Sequence, residues 1–300
     1  MAQQFDRRRL LAVLAVGTAA ALAGCARAAD PTPGDRTAAG PRPRPVPAPG
    51  VPVGAVRPTA GGQAKPTTHP TYGDHLPSAT GSPPSPRPGL PDVVHRLPAW
   101  ALPGAIALTV DDGFDAEVVA AYVEFARTTG VHLTFNPNGM YAHAWEPHAA
   151  TLRPLVEAGQ VQIGNHTFAH RNITRLSSRR LTGELERNDA WIQQTFGITS
   201  RPWFRPPFGF HNARTDRTVG ELGYTKIVMW NGSLGDGAVL TPDVLLEQAR
   251  RYLTPGTIML GHANHPAVTH VYGQLLELIT SRALTPQTLD EAFGTSRTVG

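Results

Sequence analysis

The sequence predicts an α/β fold with a parallel sheet, because short apolar runs alternate with helix-like segments through roughly the last 200 residues. Polar and charged side chains follow several of the apolar runs, as expected where parallel strands end at one edge of a sheet. The alternation fits either an open sheet or one closed into a barrel. The candidate strands are 105–110, 133–136, 161–165, 203–205, 226–230, 257–260 and 283–289. The candidate helices are 116–129, 149–158, 178–196, 213–222, 242–253 and 268–281.

The individual elements differ in how clearly the sequence marks them. The run 105–110 is entirely strand-like and leads to Asp111, Asp112 and Gly113, which indicates a buried strand ending in a tight turn. Thr241 before Pro242 marks a helix start, since a capping hydroxyl precedes proline at the first helical position. The run 283–289 has the weakest strand pattern.

The first 25 residues are typical of an export signal. The basic run Arg7–Arg9 precedes the apolar run 10–23, which is too short to span a bilayer as a helix. The order Leu22-Ala-Gly-Cys25 resembles the lipobox of bacterial lipoproteins, with Cys25 as the lipidated residue. The alternative is an incidental thiol in a cleaved signal peptide. As the single cysteine of the chain, Cys25 cannot form an intramolecular disulfide.

These N-terminal features predict an exported protein on the outer face of a bacterial membrane, or an extracellular one. The first residues also resemble a twin-arginine signal, which leaves the export route open between the Tat and Sec pathways. Residues 26–97 are predicted to be a disordered linker, because 18 of the chain's 29 prolines lie within 31–98 and little apolar surface is available for burial. Residues 98–300 are then the catalytic domain.

Composition argues against nucleic acid as a partner. The formal charge is +4, and loss of the export signal with Asp6 and Arg7–Arg9 lowers it to +2. No basic stripe interleaved with aromatic residues is visible. We therefore expect no nucleic-acid binding, and we expect a monomer that is tethered to the membrane through Cys25.

Two groups of residues after separate strands have the composition of a metal site. Asp111 and Asp112 end the first strand, and His166 and His170 follow the third. Two imidazoles and one carboxylate leave open positions for water and substrate around a divalent metal. Zn²⁺ suits these ligands and hydrolysis, while Co²⁺, Mn²⁺ and Fe²⁺ stay open.

Three further groups follow later strands. Arg205-Pro-Pro-Phe208-Gly has a rigid backbone, since consecutive prolines exclude a helix. Trp230 and Asp236 follow the next strand, and Leu260-Gly-His262 ends the one after it. A single histidine at a strand end is more often structural than catalytic. Several such groups at the same end of successive strands instead favour one active site.

These motifs together resemble those of the polysaccharide deacetylases, the NodB-homology domains of carbohydrate esterase family 4. The motifs T-V-D-D-G, H-T-F-A-H, R-P-P-F-G, W-N-x-x-x-x-D and L-G-H occur in the family's order and approximate spacing, over about residues 105–293. The first three are the specific ones. The resemblance implies a distorted (β/α) barrel with fewer than eight strands. It also implies a metal-dependent hydrolase that removes N- or O-linked acetyl groups from a polysaccharide.

The resemblance also implies a role for each motif residue. Asp112, His166 and His170 would be the metal ligands, and Asp111 the general base. Arg205 would orient Asp111, and His262 would be the general acid, tuned by Asp236. Trp230 and Leu260 would flank the acetyl methyl group, while the backbone N–H near Phe208 would help to stabilise the oxyanion.

Two positions depart from the family pattern. Phe208 stands where the family usually has tyrosine, and Gly237 stands where it usually has tryptophan. The first change keeps the backbone donor, whereas the second removes an aromatic wall of the substrate site. Val110 replaces the commoner phenylalanine, which we expect to matter little in the strand core.

The expected substrate is an N-acetylated cell-wall glycan, either peptidoglycan or a chitin-like N-acetylglucosamine polymer, because a membrane-tethered enzyme meets the cell wall first. O-deacetylation of acetylated xylan is an alternative. Two other classes of protein stay open: a catalytically silent glycan-binding lipoprotein, suggested by the two departures, and a metal-capturing lipoprotein, suggested by the 12 histidines.

Overall fold

The computed structural model describes residues 89–295, in which parallel strands form the centre of an α/β fold. The strands are β1 Asp92–Val94, β2 Ala105–Asp112, β3 Leu133–Pro137, β4 Val161–Ile163, β5 Trp203–Phe204, β6 Lys226–Val228, β7 Gly232–Ser233, β8 Ile258–His262 and β9 Thr285–Pro286. The α-helices are α1 Ala116–Thr129, α2 Ala142–Trp145, α3 Ala149–Glu157, α4 Ser178–Phe196, α5 Ala213–Glu221, α6 Pro242–Tyr252, α7 Tyr272–Ser281 and α8 Leu289–Phe293.

The strand pairings run round a distorted barrel. One sheet has the order β1-β6-β5 and the other β4-β3-β2-β8-β7, with β9 paired to β2. A parallel bridge between Asn165 and Phe204 joins the β4 side to β5, and an antiparallel bridge between Arg96 and Thr257 joins the segment after β1 to β8. The circuit thus contains seven strands, with β7 and β9 paired outside it. The expectation of an α/β barrel with fewer than eight strands is confirmed.

The alternation of side chains along β2 explains why the site lies inside the barrel. Ile106 and Val110 pack in the large cluster that β2 shares with the helices, whereas Ala105 and Ala107 pack with residues of other strands in a smaller inner cluster. Side chains two residues apart lie on the same face of a strand. Thr109 and Asp111 therefore continue the inward face, with Asp111 at its carboxyl end.

The helix boundaries follow local capping rules. The Asp115 side chain accepts hydrogen bonds from the first turn of α1, and Gly130 ends that helix with a left-handed φ of 70°. Ser177 caps α4 in the same way. Thr241 accepts a hydrogen bond from the backbone N–H of Val244, which confirms the helix start predicted at Thr241-Pro242.

Most elements appear where the sequence predicts them, with differences at several ends. The helices predicted at 116–129 and 178–196 match α1 and α4. The predicted helix 268–281 is too long: a 3₁₀ helix at Pro266–His270 ends before Val271, whose φ of −125° interrupts the helix, and α7 begins at Tyr272. The weak strand 283–289 shortens to β9, because Leu289 begins α8.

Four elements were missed, namely α8, β7, α2 and β1, and the last of them moves a predicted boundary. β7 and α2 have two and four residues, too short for a periodic pattern. β1 lies inside the predicted linker 26–97, where it pairs in parallel with β6, and Leu97 is buried. The linker prediction is therefore wrong for 92–97. A short valine run among prolines is ambiguous by itself, and pairing with β6 decides its conformation.

The remaining N-terminal predictions concern residues outside the described range. These are the signal peptide 1–25, lipidation at Cys25 and the linker before residue 89. Among residues 89–295, no helix combines the length and the apolar character needed to cross a membrane.

Candidate active site

The carboxyl ends of the barrel strands bring the sequence-predicted residues to one place. Asp111 on β2 and His262 on β8 are register partners, so their side chains leave neighbouring strands side by side. The loops after β4 and β5 supply His166, His170 and Arg205, and Asp236 lies in the loop after β7.

Asp112, His166 and His170 form one compact group. The nitrogen Nε2 of His166 lies 3.4 Å from Asp112 Oδ1, and Nε2 of His170 lies 3.3 Å from the same oxygen. Potential ligand atoms of the three residues all lie within 4.8 Å of one another. Two imidazoles and a carboxylate in this arrangement are suited to a divalent metal.

The donor atoms in this group are prepared for a cation. Asp112 Oδ1 is buried and has no hydrogen-bond partner among the described residues. His166 Nδ1 lies 2.7 Å from the carbonyl oxygen of Arg205, so the ring donates there and presents Nε2 to Asp112. A buried carboxylate oxygen without a donor is costly unless a positive charge lies beside it. The residues present therefore fit a metal ion.

The pKa values of Asp112 and His170 also favour metal binding by this group. Burial would raise the pKa of Asp112, but the nearby imidazole of His166 and the charges of His166 and His170 hold it below its usual value. Burial and the neighbouring His166 lower the pKa of His170 to about 4. At pH 7 the group thus offers an ionised carboxylate and at least one neutral imidazole, the forms that bind metals.

The backbone and side chain of Asp112 are held by neighbouring loops. Regular alternation along β2 would place its side chain on the face opposite Asp111, and its left-handed φ of 68° breaks that alternation at the end of the strand. Trp145 Nε1 donates to its carbonyl oxygen at 3.0 Å. Asn264 Nδ2 donates to Asp112 Oδ2 at 2.7 Å, which leaves Oδ1 for the two histidines.

Asp111 has a separate set of partners. Arg205 Nη1 donates to Asp111 Oδ1 at 2.9 Å, and Asn136 Nδ2 donates to the same oxygen at 2.8 Å. Asp111 Oδ2 lies 3.8 Å from His166 Nε2. One carboxylate oxygen is thus fixed by two donors, while the other faces the histidine group.

The Arg205 side chain is completely buried, and its N–H groups donate to defined partners. Nη1 also donates to Thr109 Oγ1 at 2.8 Å, and Nε donates to the carbonyl oxygen of Val228 at 3.1 Å. A buried guanidinium is tolerated when its donors are paired and a carboxylate balances its charge. Arg205 therefore fixes both the position and the charge of Asp111.

His262 and Asp236 form a second histidine–carboxylate pair. His262 Nδ1 lies 2.9 Å from Asp236 Oδ1, and the backbone N–H of His262 donates to Asp236 Oδ2 at 3.0 Å. Burial would lower the pKa of His262, but the bond to Asp236 and the nearby carboxylates raise it to about 9. This imidazole carries a proton at neutral pH.

The three predicted substrate residues lie around these pairs. Phe208 has a left-handed φ of 60°, and its ring centroid lies 4.6 Å from that of His170. Trp230 lies beside Arg205, whose guanidinium carbon is 5.8 Å from the ring centroid. Leu260 is buried and is two residues before His262 on β8, hence on the same strand face.

Sequence reasoning missed the asparagines that connect the loops. Asn136 and Asn264 bind Asp111 and Asp112, and Asn138 Nδ2 donates to the carbonyl oxygens of His166 and Thr167 at 2.6 and 2.8 Å. Their position at the end of β3 or just after β3 and β8 was the available signal, because polar residues at those strand ends face the same site.

Comparison with known proteins shows which sequences this chain resembles. Residues 102–227 match the sequence profile of the polysaccharide deacetylase family. A chitin deacetylase from Pestalotiopsis sp. is 26% identical over 223 residues, which cover 72% of this chain and 73% of the relative. The peptidoglycan-N-acetylmuramic acid deacetylase PdaA of Bacillus subtilis is 24% identical over 164 residues, covering 52% of this chain and 59% of the relative.

Solved structures share the fold. The BA3943 protein of Bacillus anthracis, a carbohydrate esterase family 4 pseudoenzyme, superposes with a TM-score of 0.59 at 22% identity, covering 69% of this chain and 71% of that chain. The likeness at this identity concerns the fold. The family match over residues 102–227 supports a polysaccharide deacetylase domain in this part of the chain, and the structural neighbours agree with it in fold.

Proposed function

We propose that the protein is a metal-dependent hydrolase that removes acetyl groups from an N-acetylated glycan. Asp112, His166 and His170 hold the metal, Asp111 is the general base and His262 is the general acid. The single observation that carries the proposal is the convergence of the Asp111 and Asp112 carboxylates with the imidazole of His262 at the carboxyl ends of β2 and β8.

The metal, when bound, supplies an acidified water and a positive charge for the developing oxyanion. Asp111 accepts the proton of the attacking water. Arg205 and Asn136 hold one oxygen of Asp111, so the carboxylate keeps its orientation while its other oxygen takes the proton. The backbone N–H near Phe208 adds a donor for the oxyanion, at a proline corner where the Phe208 ring contacts the ring of His170.

His262 donates a proton to the leaving amine. Amide nitrogen is a poor leaving group until it is protonated, so hydrolysis needs an acid within reach. Asp236 binds Nδ1 of His262 and thereby orients Nε2 towards the substrate side. Trp230 and Leu260 flank the acetyl methyl group, which suits their apolar side chains.

Acetate release from N-acetylglucosamine oligomers by the zinc-loaded protein tests the proposal. Asp111→Asn and His262→Ala are the matched variants, and each removes one proton-transfer group. General acid–base catalysis contributes about 10²–10⁴-fold, so we expect rate losses of that order. Equal rates in all three proteins would reject the proposed mechanism.

The substrate class follows from the relatives and the predicted address. Relatives named for chitin and for peptidoglycan deacetylation match the domain, and a lipid anchor at Cys25 would hold it beside the cell wall. We therefore favour a cell-wall glycan over acetylated xylan. Acetate release from a panel of acetylated glycans, followed by mass spectrometry of the products, separates the two.

A catalytically silent glycan-binding lipoprotein is the second candidate. Phe208 and Gly237 replace the family's usual aromatic residues, and the fold is shared with a pseudoenzyme. Every acid, base and ligand of the proposed mechanism is nevertheless present, which favours the enzyme. Glycan binding without acetate release at saturating zinc would favour the silent protein.

A further inference from the structure

The mouth of the candidate site carries exposed aromatic side chains that the proposed chemistry does not use. Phe114 directly follows the Asp111-Asp112-Gly113 turn and is 45% exposed. Large apolar side chains are informative when several are exposed together at a groove, because they mark binding surfaces. Phe208 and Phe210, after β5, are 39% and 52% exposed at the same mouth.

Phe114 belongs to an aromatic group from three separate loops, here called the Phe114 cluster: Phe114, Tyr141 and His265. The ring centroid of Phe114 lies 6.1 Å from that of Tyr141, at an interplanar angle of 55°. It lies 5.8 Å from that of His265, at 84°. Tilted and edge-on contacts are favourable aromatic geometries, and they support Phe114 while nearly half of it stays exposed.

The Phe114 cluster is tied to the candidate metal ligand Asp112. Asn264 Oδ1 accepts from the backbone N–H groups of Gly113 and Phe114 at 3.3 and 3.4 Å, while Asn264 Nδ2 donates to Asp112. Tyr141 is tied to the same turn through Asn138, whose backbone N–H donates to the carbonyl oxygen of Asp112 at 3.4 Å and whose carbonyl oxygen accepts from the backbone N–H of Tyr141 at 2.9 Å. These hydrogen bonds would thus hold a ligand bound to the cluster at a fixed position relative to the reacting groups.

The loop after β7, which contains Asp236 and Gly237, offers no such surface. A Cβ atom added to Gly237 would lie 3.3 Å from Cε1 of His262, so the glycine backbone approaches the imidazole closely. The following residues, Ala238 and Val239, are exposed but have no aromatic ring. The exposed aromatic rings at the mouth therefore lie on the loops after β2, β3, β5 and β8.

We propose that the Phe114 cluster binds the apolar face of a sugar ring, next to the sugar whose acetyl group lies between Asp112 and His262. The inference rests on the proposed function, which supplies the glycan. The C–H face of a sugar packs on an exposed aromatic ring, while the Tyr141 hydroxyl and the His265 ring nitrogens can bind its hydroxyl groups. Phe114 is then a specificity residue that selects chains over single sugars.

Calorimetric binding of N-acetylglucosamine and its pentamer to the zinc-loaded protein tests this assignment, with Asp111→Asn present to prevent turnover. Phe114→Ala should weaken pentamer binding about tenfold, the size of one aromatic contact, and leave the affinity for the monosaccharide unchanged. Phe114→Trp should restore pentamer binding. The control is Trp100→Ala, since Trp100 is 76% exposed but precedes β2, at the opposite end of the strand.

Unchanged pentamer affinity in Phe114→Ala, or an equal loss in Trp100→Ala, would overturn the assignment. An equal loss for the monosaccharide would overturn it too, because Phe114 would then contact the reacting sugar. The outcome is separable from the proposed function. If pentamer binding depends on Phe114 but the protein with Asp111 intact releases no acetate, the subsite is supported and the deacetylase is rejected. Acetate release with binding independent of Phe114 does the reverse.

Discussion

Asp111 and Asp112 are neighbours in the chain, yet their side chains meet different groups. Asp111 continues the inward face of β2 and binds Arg205, whereas the positive φ of Asp112 turns its carboxylate towards His166 and His170. The turn at the end of the strand therefore separates two chemically identical side chains into two environments. Each environment suits one of the two proposed carboxylate roles.

Matched substitutions of the two aspartates should separate those roles. Asp112→Asn removes a proposed ligand, so we expect loss of bound zinc together with activity. Asp111→Asn leaves the three ligands in place, so we expect zinc to stay bound while acetate release falls by about 10²–10⁴-fold. Elemental analysis of dialysed protein and acetate assays provide the two measurements. Equal zinc content in both variants would contradict the assignment.

The Asp236–His262 pair predicts a change in pH dependence. A general acid must be protonated, and the pKa of His262 is raised to about 9, so activity should fall as pH rises through that value. Asp236→Asn removes the carboxylate that raises this pKa. The alkaline limb of the kcat/KM profile should then move to lower pH. If the alkaline limb stays at the same pH in Asp236→Asn, a group other than His262 controls it.

Arg205 should be important for stability as well as for the site. Arg205→Met leaves Asp111 buried without its cation, and breaking such a pair costs about 3–5 kcal/mol. Arg180→Met is the control, since Arg180 is exposed on α4 and surface changes are usually within about 0.5 kcal/mol. Urea unfolding measures both. A similar small effect in the two variants would contradict the buried-pair interpretation.

At the scale of elements, short strands become ordered through their partners. β1 has three residues and β5 and β7 have two each, so their local preference for extended structure is small. β1 pairs with β6 at three positions, and Met229 donates to the carbonyl oxygen of Val94 at 2.8 Å. Non-local pairing therefore decides where the folded domain begins.

This boundary can be tested with two shortened chains. A chain beginning at residue 98 lacks β1 and Leu97, and thus loses the pairing that covers one edge of β6. A chain beginning at residue 89 retains both. We expect the shorter one to melt several degrees lower, since about 1 kcal/mol shifts Tm by roughly 2–4 °C in a domain of this size. Equal melting temperatures would place β1 outside the cooperative unit.

At the scale of the whole molecule, the site joins loops that are far apart in the chain. Asp112 ends β2, the two histidines follow β4, and His262 ends β8. A cation shared by the first two loops binds the folded state and not the unfolded chain. It should therefore stabilise the protein by mass action.

Zinc should accordingly raise the melting temperature, and chelation should lower it. At a free zinc concentration of 100 times Kd the expected stabilisation is about 2.7 kcal/mol. The His170→Ala variant should lose most of this shift, because its imidazole lies 3.3 Å from Asp112 Oδ1. His143→Ala on α2 is the control, as His143 is not in the ligand group. A zinc-dependent shift that survives in His170→Ala would place the bound metal elsewhere.

The sequence by itself determined the α/β class, the long helices and the set of reactive residues. Strong apolar periodicity predicted α1, α4 and β2, and polar residues after strands predicted the motifs. Such signals are local, so they can be read from neighbouring residues. They did not reveal β1, β7 or the asparagines that connect the loops.

Only the tertiary structure decided which of those residues meet. The parallel pairing of β2 with β8 brings Asp111 beside His262, and the positive φ of Asp112 gives the two aspartates different partners. The fold also joins Phe114 to Tyr141 and His265, which lie in three loops. The reason is physical: the register between strands and the burial of charge depend on contacts across the whole barrel, which no local segment contains.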